Sequence, residues 1–103
     1  MLTVAQIQKS VTDVAKDFNV TSTDGKIRKI SLFGSYASQQ AHEGSDVDLL
    51  VEFNSEFVSF LSFGRLLTNL EDALKVPVDV IPSPLPDNAI ISIEKTVPLY
   101  VEN

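Results

Sequence analysis

Three aspartates carry most of the chemistry that this sequence can offer. Asp46 and Asp48 are separated by one residue, and Asp79 stands between two valines. Residues two positions apart in a β-strand point to the same side, so Asp46 and Asp48 would leave one face about 6.6 Å apart. The segment around Asp79 is short and apolar enough for a central strand, where an unpaired ionised group is costly. Each aspartate also has an ordinary explanation, because a strand edge or an outward-facing position exposes a carboxylate to water.

Carboxylates that gather in one place need a cation. Three of them within about 5 Å would repel pairwise by roughly 3 kcal/mol at an effective dielectric constant near 20, and a divalent cation reverses that sign. The sequence has no cysteine and a single histidine, His42, so a metal would have to bind through oxygen. Oxygen ligands suit Mg²⁺, which completes its shell with waters and substrate phosphates. Convergence of the aspartates would therefore imply a site for magnesium and a triphosphate.

Gly34 and Ser35 stand where a predicted strand gives way to a helical turn. Free backbone N–H groups at such a place favour a phosphate, and glycine allows its close approach. Taken alone, a Gly-Ser pair after a strand is most often an ordinary tight turn. His42 is more often a surface loop residue than a catalyst, and no serine-hydrolase pattern surrounds Ser35.

The elements that must position these residues follow from the spacing of apolar side chains. Thr3 is the predicted N-cap of the first helix. The helix over 57–75 has an apolar surface wider than one stripe, so a second face is free to meet a partner, with Phe57 and Phe60 as the expected contacts. In chain order, the pattern predicts a helix over 3–18, a strand over 27–33, a helical link over 36–41, a strand over 46–53, a helix over 57–75, a strand over 78–81 ended by the prolines of 82–86, a short helix and a terminal apolar piece.

Length and composition restrict the class of protein. The 103 residues predict one α/β domain over 1–103, with a small mixed β-sheet covered by helices. The formal charge of −6 repels nucleic-acid phosphates, so we expect no direct nucleic-acid binding. No stretch reaches the roughly 18 apolar residues of a membrane span and no secretion signal is visible, so we predict a cytoplasmic protein without membrane contact. A domain of this size forms a shallow cleft, which a partner or a second copy of the chain would complete.

The combination of these motifs is more specific than any one of them, and it resembles the minimal nucleotidyltransferase (MNT) group of the DNA polymerase β-like superfamily. The resemblance covers roughly residues 27 to 81. It rests on Gly34-Ser35-Tyr36-Ala37, a spacer of ten residues between Ser35 and Asp46, the segment Ser45-Asp46-Val47-Asp48-Leu49-Leu50-Val51, and the later Asp79. The implied fold is that of a nucleotidyltransferase, similar to the palm of DNA polymerase β.

The resemblance also implies a role for each site residue. Gly34, Ser35 and Ser45 would bind the nucleotide. Asp46, Asp48 and Asp79 would be both catalytic residues and metal ligands: the first two would hold two Mg²⁺ ions, and Asp79 would bind the ion that activates the attacking hydroxyl. The implied reaction is transfer of a nucleoside monophosphate, with ATP or another nucleoside triphosphate as substrate.

Stand-alone domains of this group commonly pair with a helical HEPN protein, as the antitoxin of a toxin–antitoxin module, and some add AMP to a tyrosine of the toxin. The resemblance implies that role here. One departure matters, because many active members continue the turn with Arg-Gly where this chain has Ser38 and Gln39. Loss of a cationic phosphate contact weakens the case for activity.

Three hypotheses therefore stand. The first is a magnesium-dependent nucleotidyltransferase that moves AMP from ATP to a hydroxyl of a HEPN partner. The second is a binding module of the same fold that neutralises this partner by masking it, which the Ser38-Gln39 departure favours and the intact set of aspartates opposes. The third, a transferase acting on nucleic acid, ranks below both because the acidic chain offers no basic path for a polymer.

Overall fold

The computed structural model describes residues 2–23, 25–54, 58–83 and 95–102. These residues form helices and strands that alternate along most of the chain. The last strand pairs in the sheet with the first, which is distant from it in sequence. The elements are α1 (Val4–Thr21), β1 (Ile27–Phe33), α2 (Gly34–Ala37), β2 (Val47–Phe53), α3 (Phe60–Leu74), β3 (Val78–Ser83) and β4 (Val97–Val101). No helix in these ranges is both long enough and apolar enough to cross a bilayer.

The four strands form one sheet in the order β3-β2-β1-β4. Strand β1 runs antiparallel to both β2 and β4, and β2 pairs with β3 in parallel. The prediction of a small mixed sheet in an α/β fold is therefore confirmed. The parallel pair is joined through α3, as a crossover between parallel strands requires.

Helix α1 begins at a complete capping box. The Thr3 side chain accepts a hydrogen bond from the Gln6 amide at 3.1 Å, and the Gln6 side chain accepts one from the Thr3 amide at 2.8 Å. The N-cap prediction is confirmed, but the helix continues to Thr21 instead of ending at 18. Asn19 stays helical because its side chain has its own partners: Oδ1 accepts from the Ile27 amide at 2.7 Å, and Nδ2 donates to the Ile27 carbonyl at 2.9 Å.

The hydrophobic core lies between the two long helices and one face of the sheet. Strand β2 contributes every second residue to it: the first three of these side chains are fully buried, and the fourth, Phe53, is half-buried against the core. The core residues are Ile7, Val11, Ala15 and Phe18 from α1; Val47, Leu49 and Val51 from β2; and Leu66, Leu70 and Leu74 from α3.

Helix α2 and helix α3 differ from their predicted bounds for local reasons. The turn at Gly34 starts α2 two residues before the predicted link, and Gln39, with φ +62°, ends the helical conformation before 41. Ser59 caps α3 through a hydrogen bond from the Ser62 amide at 3.1 Å, so the described helix starts at Phe60. Phe57 lies outside the described residues, as does the short helix predicted after the prolines.

Strand β3 departs most from expectation. It continues through Pro82 and Ser83, where the prolines were expected to stop it, and it lies at the edge of the sheet. An edge strand tolerates proline because the missing N–H need not complete a ladder. The prediction that Asp79 belongs to a central strand is therefore wrong, and its carboxylate is exposed, as the ordinary explanation for this residue proposed.

Candidate active site

An open cleft of about 530 Å³ lies at the end of the sheet where β2 and β3 begin. It is polar, and it collects residues from three separate stretches of the chain. The lining residues are Ser35, Gln40, His42, Gly44, Ser45, Asp46, Asp48 and Asp79. Five of the six residues predicted for the site thus line one cleft, and the sixth, Gly34, lies directly against Asp48.

Asp48 and Asp79 are brought together by the parallel pairing of their strands. The two residues are register partners of β2 and β3, and their side chains come close enough to interact. The pKa of Asp48 is raised from 3.8 to about 6, first by burial, then by the hydrogen bond and charge of Asp79, and least by the charge of Asp46. Two neighbouring carboxylates repel each other when both are ionised, so the fully ionised pair is unfavourable without a cation.

Asp46 does not share a strand with Asp48. Strand β2 begins at Val47, whose amide donates to the Pro77 carbonyl at 3.0 Å, so Asp46 lies in the preceding loop and is exposed. The expectation of two carboxylates on one strand face is corrected accordingly. In the described part of the chain, no three acidic, histidine or cysteine side chains are already gathered around one point. Asp48 and Asp79 are in contact, and Asp46 stands on the same cleft wall.

The donor chemistry of this cleft fits a hard divalent cation. Its carboxylates supply oxygen ligands only, and the raised pKa of Asp48 beside Asp79 indicates that positive charge is favourable at this position. Mg²⁺ keeps several waters and needs only one or two protein carboxylates, so it does not require a closed cage of ligands. Asp48 and Asp79 could hold such an ion, and Asp46 could complete a second position.

Gly34 has a steric role at this site. Its φ is +73°, and a Cβ built on it would lie 2.1 Å from Oδ2 and 3.0 Å from Cγ of Asp48. Any other residue would displace the Asp48 carboxylate, besides being strained in the left-handed region. The sequence predicted that a phosphate would approach this glycine closely. In the structure, the group that lies closely against it is the Asp48 carboxylate.

The loop between α2 and β2 shapes the opposite wall of the cleft. Ser45 is buried, its Oγ accepts a hydrogen bond from the His42 amide at 2.8 Å, and its own amide donates to the His42 carbonyl at 2.9 Å. Gly44, with φ +85°, allows this tight return. The Ser45 hydroxyl is therefore engaged in closing the loop, which adds a structural role to the nucleotide contact predicted for it.

Sequence reasoning missed Gln40, His42 and Gly44 as cleft residues. His42 is exposed and lies in a loop, as its ordinary explanation held, yet that loop forms a wall of the cleft. A signal was available, because all three residues fall between Ser35 and Asp46, whose convergence forces the connecting segment to pass the site.

A mixed α/β sheet with an acidic cleft beside a glycine turn is the arrangement expected of a nucleotidyltransferase domain. Residues 15–100 match the model of the family described as nucleotidyltransferase domain. This chain belongs to that family. The match includes every residue predicted for the site.

Relatives of known name agree with this assignment. The protein adenylyltransferase MntA of Thermococcus cleftensis is 38% identical over 81 residues, which cover 79% of this chain and 78% of that protein. Three proteins of Methanocaldococcus jannaschii, provisionally named protein adenylyltransferases, are 42 to 43% identical over 56 to 57 residues. The matched part of this chain spans only 56 to 64% of their length.

Solved structures show the same fold. A toxin–antitoxin complex crystallised with AMP-PNP aligns with a TM-score of 0.71 at 22% identity, covering 92% of this chain and 73% of that one. A complex of a tri-AMPylated HEPN toxin of Shewanella oneidensis with its MNT antitoxin aligns with a TM-score of 0.63 at 18% identity, covering 95% and 72%. At these identities the likeness shows the fold alone.

Proposed function

We propose that this chain is a magnesium-dependent protein adenylyltransferase that moves AMP from ATP to a hydroxyl of a HEPN-type toxin, and thereby serves as its antitoxin. Residues 1–103 would act as one minimal nucleotidyltransferase domain in the cytoplasm, where ATP is at hand. The observation that carries the proposal is the contact of Asp48 with Asp79 in a cleft that also holds Asp46 and Ser35. The names of the relatives support the choice of AMP and of a protein acceptor.

The residues divide the chemistry among themselves. Asp46 and Asp48 would hold two Mg²⁺ ions, with Asp79 binding the ion nearer the acceptor. Bound there, the metal lowers the pKa of the acceptor hydroxyl and stabilises charge on the departing pyrophosphate. The hydroxyl oxygen forms a bond to the α-phosphorus as the bond to pyrophosphate breaks, and Asp79, which is exposed, can take up the hydroxyl proton. Gly34 and Ser35 would border the triphosphate.

The openness of the cleft favours a protein acceptor. Asp46 and Asp79 are exposed, so a side chain presented by another protein can reach them. The described residues that line the cleft include no lysine or arginine, which disfavours a nucleic acid as acceptor. A hydroxyl on a protein surface therefore suits this site better than a polymer end.

The second candidate function is neutralisation by contact alone. Phe60 and Leu61, at the start of α3, are 90% and 83% exposed, which is unusual for large apolar side chains and suits a binding surface. The replacement of Arg-Gly by Ser38 and Gln39 also favours this alternative. In that version the acidic cleft would bind nucleotide or nothing, and the toxin would be masked sterically.

The variant Asp79→Asn separates the two functions. It keeps the shape of the side chain and removes a charge at the acceptor side, while Asp46 and Asp48 remain to bind magnesium ATP. We expect ATP-dependent labelling of a HEPN-type partner protein to fall about a hundredfold or more, the scale seen when one charge-stabilising group is removed. Neutralisation of the toxin should fall with it.

Asp72→Asn is the matched control, because Asp72 is an exposed aspartate of α3 outside the cleft. The melting temperature of each variant with and without magnesium ATP reports folding and nucleotide binding separately from transfer. If Asp79→Asn transfers nothing yet neutralises the toxin as well as the wild type does, the enzymatic proposal is wrong and masking replaces it.

A further inference from the structure

With magnesium and a triphosphate bound, the cleft would still hold more negative than positive charge. Its lining holds three carboxylates, and a triphosphate would add about four further negative charges against four positive charges from two magnesium ions. None of the described lining residues is a lysine or arginine. Among them, His42 is the one side chain that can carry a positive charge.

The position of His42 is fixed by its loop. Its backbone is held by the two hydrogen bonds to Ser45, and its ring nitrogen Nδ1 lies 2.9 Å from the Glu43 carbonyl oxygen. A carbonyl oxygen can only accept a hydrogen bond, so Nδ1 carries the hydrogen and the donor position on that side of the ring is used. The second ring nitrogen, Nε2, is left for a ligand.

The other charged groups among the described residues that line the cleft are all acidic. Asp46 from the loop before β2, Asp48 from β2 and Asp79 from β3 line the same cleft, and Glu43 is the next residue of the loop. A positive charge at this wall would therefore be attracted by these carboxylates and by the phosphates of a bound nucleotide.

We propose that His42 is a nucleotide-binding residue that donates a charge-assisted hydrogen bond from Nε2 to the β- or γ-phosphate of the triphosphate. It would supply the cationic contact that is missing where this chain has Ser38. This assignment rests on the proposed function, because it requires a triphosphate in the cleft. It deepens that function by naming a side chain that would contact the triphosphate.

Two substitutions test the assignment. His42→Asn places an amide N–H where Nδ1 donates to the Glu43 carbonyl, so it keeps the loop contact and removes Nε2. His42→Arg restores a permanent cation with a longer reach. Titration calorimetry with magnesium ATP should show about tenfold weaker binding for His42→Asn, and affinity within about threefold of the wild type for His42→Arg. The melting temperatures of the ligand-free proteins should agree within about 2 °C.

Other outcomes overturn the assignment in distinguishable ways. Equal affinity of His42→Asn and the wild type for magnesium ATP would show that Nε2 makes no contact with the nucleotide, while the proposed function stands. Weak binding by both variants would show that the imidazole acts through loop shape and not through its charge. If the wild type itself does not bind magnesium ATP, the proposed function fails and this inference falls with it.

Discussion

The two faces of strand β2 serve opposite purposes. Val47, Leu49 and Val51 point into the core and are fully buried, whereas Asp48 points to the other face, at the cleft. Leu50 follows Asp48 on that face and is half-buried. The alternation of side chains along one strand thus separates stabilising apolar contacts from Asp48, whose carboxylate is repelled by that of Asp79. Residues one position apart can therefore carry independent functions.

The core face must offset the cost of the site face. Burial and two neighbouring carboxylates disfavour the ionised form of Asp48, so the site weakens the fold unless a cation is bound. The core face shows no such conflict: its side chains are apolar, and no buried polar side-chain atom among the described residues lacks a hydrogen-bond partner. Truncation of an apolar side chain should lower the stability of the protein, whereas removal of the Asp48 charge should raise it.

The largest effect is expected on the core face. Leu49→Ala removes a fully buried side chain between the sheet and the helices, and we expect a loss of about 3 kcal/mol in the free energy of unfolding. Leu50→Ala, one residue along and half-buried, should lose only about 1 kcal/mol. Urea unfolding followed by circular dichroism measures both. Equal losses would show that the second face is packed as tightly as the first.

A smaller effect of opposite sign is expected on the site face. Asp48→Asn removes a carboxyl whose pKa is raised in the fold, and it should stabilise the metal-free protein at pH 7.5 by about 1 kcal/mol, after allowance for solvent screening. Because the folded pKa of about 6 exceeds the unfolded value of 3.8, the wild type loses stability as pH rises between these values. The advantage of the variant should therefore vanish below about pH 4 and be complete above pH 6.

Thermal unfolding of both proteins at pH 3.5, 5 and 7.5, in the presence of a chelator, measures this dependence. Asp72→Asn, outside the cleft, controls for the general effect of removing one negative charge from an acidic protein. An advantage of Asp48→Asn that stays constant across the three pH values would contradict the assigned cause.

The smallest effect is expected in the turn that precedes the cleft loop. Gln39 has φ +62°, a conformation that costs a non-glycine residue about 1 kcal/mol, so Gln39→Gly should stabilise the protein by about 0.5 kcal/mol after the added entropy of the unfolded chain. Ser38→Gly is the matched control, because Ser38 has φ −89° and gains nothing from glycine. Ser38→Gly should instead destabilise slightly. Differential scanning calorimetry measures the change in stability of both variants. A change of the same sign in both would show that Gln39 is not strained.

Local patterns were predictable because they depend on neighbouring residues. The alternation of 27–33 matches β1 at both ends, and the Thr3 cap follows from a hydroxyl placed before an apolar helical stripe. The Gly34-Ser35 turn and the β2 aspartate Asp48 were recognised for the same reason. The pairing of Val47 with Val78 was not predictable from either segment alone.

Features that depend on distant parts of the chain were the ones that sequence reasoning missed. The edge position of β3 depends on which strands pair with β2, and the sequence around Asp79 gives no information about that choice. The separation of Asp46 from the strand depends on where the parallel ladder starts. The position of His42 in the cleft wall depends on how the loop folds between Ser35 and Asp46, and the pattern of apolar residues does not encode the shape of that loop.

The pairing of β4 with β1 has a consequence for the order in which this protein forms during synthesis. Residues 97–101 hydrogen-bond to residues 29–32, and Asn19 at the end of α1 also contacts the Tyr100 hydroxyl at 3.1 Å. Until that distant stretch has left the ribosome, one edge of β1 has no strand partner and α1 lacks part of its support. A nascent chain that ends before residue 97 leaves the backbone N–H and C=O groups on this edge of β1 unpaired. The four-stranded sheet can therefore be completed only after residues 97–101 have been synthesised.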